Sequence, residues 1–247
     1  MPPDIASITR YDSHSSQYIE SYDPQGGAVS GGAVSGTAAL VHGGYWRNAY
    51  GADLMHPMAE HLVMGGWRVL NIEYRRVGDD ISDGDHPNTW SAMRHDLEHA
   101  LPTDTPLTLI GHSAGGHLAM WAAKSLTNHQ IDGVIALAPV SDLIAASELA
   151  LSNNAAGELL GESLEEARPD YLAASPRHLL PLTAPHLLVH GTADEAVPVE
   201  MSRDFVQAAR QTTPEAIAYV EVEGLDHMAL IDPADDVWRT IDAWLDR

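Results

Sequence analysis

The sequence predicts a single α/β domain, and three observations carry that prediction. Short apolar runs of strand type recur at residues 37–41, 67–74, 133–140, 186–190 and 218–222. Between them lie segments with apolar residues at three- and four-residue intervals, as in Trp90, Met93, Leu97 and Leu101. The third is the stretch L-T-L-I-G-H-S-A-G-G-H at 107–117, where a strand-like half runs into a helix-forming half and Ser113 falls on the turn between them. With 247 residues, 45% of them hydrophobic, the chain can bury one sizeable core, and no boundary splits it, so one domain over 1–247 is expected.

Composition excludes several classes of function. There are 35 acidic residues against 13 basic ones, a formal charge of -22, and such a chain is repelled by phosphate backbones and anionic lipid. Nucleic acid and membrane are therefore not expected partners, and a homodimer is compatible with the sequence. The absence of cysteine removes disulfides, thiol catalysis and cysteine-ligated metal. No run of about 18 apolar residues and no leader-like N-terminus occurs, so the expectation is a soluble, cytoplasmic protein. Lys124 is the only lysine, and the acidic, lysine-poor surface reads either as salt adaptation or as simple solubilisation.

Taken in order, I-T-R-Y and Q-Y-I-E-S-Y predict a leading antiparallel hairpin at a sheet edge, followed by a flexible tandem G-G-A-V-S at 26–35. The strand at 37–41 delivers His42, Gly43, Gly44, Tyr45 and Trp46 into a loop before a helix at about 53–64. A glycine pair there lets backbone amides approach a ligand closely. The strand at 67–74 leads to Arg75, Arg76 and an aspartate-rich loop, 77–87, expected at the rim of the site. Its Asp79, Asp80, Asp83, Asp85 and His86 lack calcium-loop spacing, and no metal is predicted. Asn88 is a suitable cap for a helix running to about Leu101. After the turn at Ser113 come a helix to Leu126 and the strand at 133–140. Broken helical pieces at 141–182, with Asn153, Asn154, Gly157, Gly161 and Pro169, read as a small cap shaping a pocket. The strand at 186–190 ends in G-T-A-D-E-A-V-P, and the strand at 218–222 in a loop holding Asp226 and His227 before a last helix from about Pro233 to Leu245.

These loops supply the parts of an acyl-transfer site. A serine hydroxyl needs an imidazole to take its proton during attack, and the imidazole needs a carboxylate to fix its tautomer. Ser113 between Gly111 and Gly115 is the nucleophile candidate, because a strained strand-to-helix turn tolerates no bulky residues two positions away. His227 is the base and Asp194 the acid, with Glu195 and Asp226 as substitutes. The amides of Gly44, Tyr45 and Ala114 are candidates for the oxyanion hole. Tyr45, Trp46 and His112 are candidate substrate contacts, His112 and His117 being otherwise structural. No cofactor is required.

The order Ser, Asp, His, with H-G-G-Y-W at 42–46 and G-H-S-A-G-G at 111–116, resembles the α/β-hydrolases, and within them the kynurenine formamidase (arylformamidase) branch. Y-D-S-H-S-S-Q-Y at 11–18 and E-Y-R-R at 73–76 are also similar to that branch and to related esterases. The resemblance implies the α/β-hydrolase fold, a mostly parallel eight-stranded sheet flanked by helices, and an acyl-enzyme route through Ser113, Asp194 and His227. The substrate it implies is a small formamide or ester, N-formylkynurenine in that branch, whose carboxylate would need a cation such as Arg75 or Arg76. A broad-range carboxylesterase needs the same machinery. A hydrolase fold kept only to bind a ligand is the different-class alternative, and its usual sign, a missing triad member, is not found.

Overall fold

The computed structural model describes residues 6–24, 34–82 and 86–247. The first G-G-A-V-S repeat, most of the second, and Asp83 and Asp85 lie outside the described residues.

The strand-type runs assemble into one eight-stranded sheet: β1 (Ser7–Arg10), β2 (Tyr18–Tyr22), β3 (Thr37–Val41), β4 (Arg68–Glu73), β5 (Leu107–His112), β6 (Ile131–Leu137), β7 (His186–Gly191) and β8 (Ile217–Val222). Their spatial order is β1-β2-β4-β3-β5-β6-β7-β8. Only the leading hairpin and the β2·β4 pair are antiparallel. β3 and β5 are buried along their whole length, as parallel strands covered on both faces must be.

The period-two alternation of these strands divides the core. Ala38, Leu40, Ile110, Ile135, Leu187 and Val189 face α1 (His56–Met64) and α8 (Trp238–Leu245). Ala39, Val41, Leu109, Val134, Ala136 and Leu188 face α2 (Thr89–Ala100), α3 (Ala114–Ser125) and α7 (Val199–Thr212). α7 was not anticipated, although Val199, Ser202, Phe205, Val206 and Ala209 repeat at helical spacing and are buried. Two helix starts differ from expectation. Residues 52–55 form a 3₁₀ turn, and α1 begins at His56 because Pro57, lacking an N–H, belongs in a first turn. α8 begins at Trp238 rather than near Pro233, since Asp232 and Asp235 accept the N–H groups of Ala234 and Val237 and hold turns there.

Between β6 and β7 lie α4 (Leu143–Glu148), α5 (Leu151–Leu160) and α6 (Arg168–Ala174), where the cap was expected. Most of it packs inward, with Leu143, Ala155, Leu159 and Tyr171 buried in the core. Among the described residues no helix is long and apolar enough to cross a membrane.

The chain order reverses between β3 and β5, which lie side by side with Val41 opposite Gly111. At such a switch point the loops leaving the carboxyl ends diverge to opposite faces and open a crevice. The loops after β3, β5, β7 and β8 all leave the sheet at that end.

Candidate active site

Ser113 follows β5 at φ 57°, ψ −119°, a region that a residue with a side chain enters only under constraint. The glycines explain how the turn is held. A Cβ on Gly111 would lie 2.2 Å from the Gly115 carbonyl oxygen, and one on Gly115 would lie 1.9 Å from that of Val41. Both approaches are far inside van der Waals contact, so α3 can press onto β3 and β5 only through glycine. Ser113 is the N-cap of α3 but makes no capping hydrogen bond with its side chain, which leaves the hydroxyl uncommitted at a helix N-terminus.

The loop after β3 is the second part. Gly44 (φ 109°), Tyr45 (φ 50°) and Trp46 (φ 59°) are consecutive left-handed residues. Gly43 packs directly on the elbow, where an added Cβ would lie 2.8 Å from the His112 carbonyl and 3.0 Å from Ser113 Cβ. Among the described residues neither the Gly44 nor the Tyr45 N–H has a hydrogen-bond partner. The loop is braced from beneath by E-Y-R-R. Both ring nitrogens of His42 face acceptors, the Gly43 carbonyl at 2.8 Å and Glu73 at 3.1 Å, while Tyr74 stacks on the His42 ring and donates to its carbonyl at 2.6 Å. Burial would raise the Glu73 carboxyl, but His42, Arg76 and the Ala52 N–H together hold it below its ordinary value.

The loops after β7 and β8 bring Asp194 to His227. His227 Nδ1 lies 2.6 Å from Asp194 Oδ2, and Asp194 Oδ1 accepts the N–H groups of Ala196 and Val197 at 2.8 Å each. Burial alone would raise this carboxyl; the His190 ring 3.2 Å away, the His227 ring and the Val197 N–H outweigh it and hold the group well below the usual carboxylate range. Of the two substitutes, Glu195 is exposed and Asp226 caps the turn that follows by accepting from Met228 and Ala229. Tyr45 ties the two halves together, its hydroxyl donating to the Ala196 carbonyl, and burial with the nearby Asp194 charge pushes that phenol up to about 12.

Ser113, His227, Gly44 and Tyr45 line one cleft of about 710 Å³, with Tyr50, Leu54 and Met228 as apolar wall and Glu195 and Asp226 as acids. Ser113 Oγ makes no hydrogen bond among the described residues, to the His227 ring or to any other group. The cap contributes Ser152 to the wall and otherwise stays out of the cleft.

Several residues sit differently from expectation. Trp46 is a core residue, 1% exposed, donating from Nε1 to His117 Nδ1, and it does not line the cleft. His112 does line the cleft but faces inward. It is 2% exposed, its Nε2 donates to the His227 carbonyl at 3.0 Å, and its ring packs 4.4 Å from that of His227. Burial, reinforced by the nearby His227, pushes its pKa down to about 3, so it is a neutral support for the His227 loop. His117 donates to the Ala174 carbonyl inside the core. Arg75 is 1% exposed and paired with Asp96 at 2.6 Å, Arg76 is bonded to Glu73 and Asp79, and neither reaches the cleft. The described part of 77–87 does not form its rim either. Sequence reading missed His190, which is fully buried beside Asp194; the only sequence signal was its position four residues before that acid at a strand end.

A family model for BD-FAE matches residues 35–209. Among curated proteins, the probable carboxylic ester hydrolase LipM of Mycobacterium tuberculosis is 27% identical over 217 residues, 78% of this chain and 50% of LipM. Esterase LipC of the same organism is 26% identical over 209 residues, 76% of this chain and 51% of LipC. The chain therefore spans about half the length of the curated relatives it matches. Among solved structures, a truncated carbohydrate esterase from gut microbiota superposes with a TM-score of 0.78 at 17% identity, covering 99% of this chain and 98% of that one. The native esterase 2 of Thermogutta terrifontis gives 0.70 at 20% identity, covering 99% and 93%. At those identities the likeness is one of fold. The family match, which takes in β3, the elbow, the cap, β7 and the loop holding Asp194, is broader: the chain belongs to the BD-FAE family, a family of the α/β-hydrolase fold.

Proposed function

We propose that the chain is a serine carboxylesterase acting on small uncharged esters. The observation that carries this reading is the Asp194–His227 pair at 2.6 Å opening onto the same cleft as a serine in the elbow conformation. Ser113 Oγ attacks the ester carbonyl while His227 Nε2 takes its proton, and the C–O double bond becomes an oxyanion facing the N–H groups of Gly44, Tyr45 and Ala114. His227 then protonates the departing alcohol. Water repeats the sequence on the acyl-enzyme and releases the acid.

Esterases among the relatives support the ester over the formamide. So does the electrostatics of the cleft. The carboxylate of N-formylkynurenine would meet Glu195 and Asp226, while the two arginines considered as its partners are turned into the core. The test is turnover of p-nitrophenyl acetate and butyrate beside N-formyl-L-kynurenine, in wild type and Ser113→Ala. Ester turnover that falls at least about 10³-fold in the variant is expected. Turnover of the formamide above the esters would restore the arylformamidase reading, and no serine-dependent turnover would favour a ligand-binding protein.

A further inference from the structure

His190 ends β7 next to Gly191 and is wholly buried, yet the acyl-transfer scheme gives it no part. Its ring is committed at both nitrogens. Nε2 lies 3.0 Å from the Val197 carbonyl and 3.2 Å from Asp194 Oδ2; Nδ1 lies 2.7 Å from the hydroxyl of Ser202, itself fully buried on α7. Since a carbonyl and a carboxylate can only accept, Nε2 carries a proton, and Ser202 then donates to Nδ1. Asp194 Oδ2 thus has two imidazole nitrogens against it, Nδ1 of His227 hydrogen-bonded at 2.6 Å and Nε2 of His190 at 3.2 Å with its N–H shared toward the Val197 carbonyl, while Oδ1 receives two backbone amides.

We propose that His190 is a positioning residue that shares Asp194 Oδ2 with His227 and thereby sets the basicity of the catalytic imidazole. This rests on the assignment of Asp194 and His227 to the esterase triad. A carboxylate oxygen with a second imidazole N–H beside it exerts a weaker field on the first. With Oδ1 fixed by Ala196 and Val197, loss of the His190 donor leaves the Asp194–His227 pair aligned but concentrates the charge on it. The His227 imidazolium is then favoured, and the pH at which the base becomes neutral rises. The other ionisable groups facing His190 are His112 beyond His227, Glu221 opposite it on β8, and Arg203 of α7, which is bound to Glu221.

A matched pair of variants separates this role from packing. In His190→Gln the amide N–H reaches the place of Nε2 and keeps an N–H beside Asp194, giving up Ser202; in His190→Asn the amide oxygen takes the place of Nδ1, still accepting from Ser202 but leaving Asp194 without the second N–H. The acid limb of kcat/KM should move up by about half a pH unit or more in the Asn variant and stay in place in the Gln variant. The same order should appear when His227 is titrated through the downfield resonance of its Nδ1–H, a readout that needs no substrate, so a wrong substrate class does not obscure it. In ¹⁵N-histidine spectra of the wild type, His190 should be the Nε2–H tautomer. Equal profiles in the two variants, an unmoved or lowered limb in the Asn variant, or an Nδ1–H tautomer in the wild type would overturn the proposal. Wild-type-like ester turnover in Ser113→Ala would instead remove the triad assignment beneath it.

Discussion

At Ser113 a left-handed backbone, costing about 1–3 kcal/mol in a residue with a Cβ, is held by the two glycines that let β3, β5 and α3 meet. Gly115→Ala should therefore be among the most damaging single-methyl additions in the molecule. The obstacle is the Val41 carbonyl, backbone in a buried strand, which has nowhere to move. Urea unfolding should show a loss of about 2 kcal/mol or more; a change within about 0.5 kcal/mol would mean that the elbow is looser than described. This scale is where the sequence was most legible and also where it misled. Ser113, Asp194 and His227 are candidates in the sequence because each follows a strand-type run in a glycine-bearing loop, and the structure brings Asp194 to His227 and sets His227 and Ser113 on one cleft. The facing of Trp46, Arg75 and Arg76 could not, because it depends on which side of the β3 and β4 ends becomes core, and that is decided by His117 on α3 and Asp96 on α2.

Among elements, the loop after β3 and the cap are joined by one side chain. Arg47 donates to Ser152 Oγ and to its carbonyl at 2.7 Å each, and to Glu158 at 2.7 Å. Ser152, Asn153 and Asn154 form a left-handed run (φ 48–62°) within the first turn of α5, and Ser152 is the cap's contribution to the wall. Both charges of the Arg47–Glu158 pair are substantially exposed, so the pair is worth only about 0.2–1 kcal/mol, and Arg47→Ala should scarcely change the melting temperature. Its effect should fall on substrate choice instead, with KM rising and the preference between acetyl and butyryl esters flattening as Ser152 loses its anchor. An unchanged chain-length profile would show that the cap wall stands without Arg47. The strands were legible to within a residue or three at their ends because both sheet faces are buried and the runs are short and uninterrupted. α7 was overlooked and the start of α8 misplaced because the first lacks a side-chain cap signal and the second is preceded by aspartates that favour turns as readily as helix.

The whole molecule carries a charge of -22, which opposes its own compaction, and it buries His112, His117 and His186 in neutral form with pKa values of about 3, 4 and 4, each lowered chiefly by burial. Two melting experiments follow. Between low and molar NaCl the melting temperature should rise as self-repulsion is screened; a flat response would assign the acidic surface to solubility alone. In molar salt, where that repulsion is removed from the comparison, the histidines set the pH dependence. Their folded values lie below the unfolded value near 6.5, so the stability they contribute is complete above that pH. It is lost progressively as pH falls from about 6.5 toward 4, because the unfolded chain binds protons that the folded one refuses. A melting temperature that holds constant from pH 8 to pH 5 would contradict this. The central claim, that one hydroxyl in 247 residues is the nucleophile, is tested most directly by labelling the protein with a fluorophosphonate and mapping the adduct by mass spectrometry. One label per chain, on Ser113 and absent from Ser113→Ala, is the predicted result; a label on another residue, or none, would contradict it.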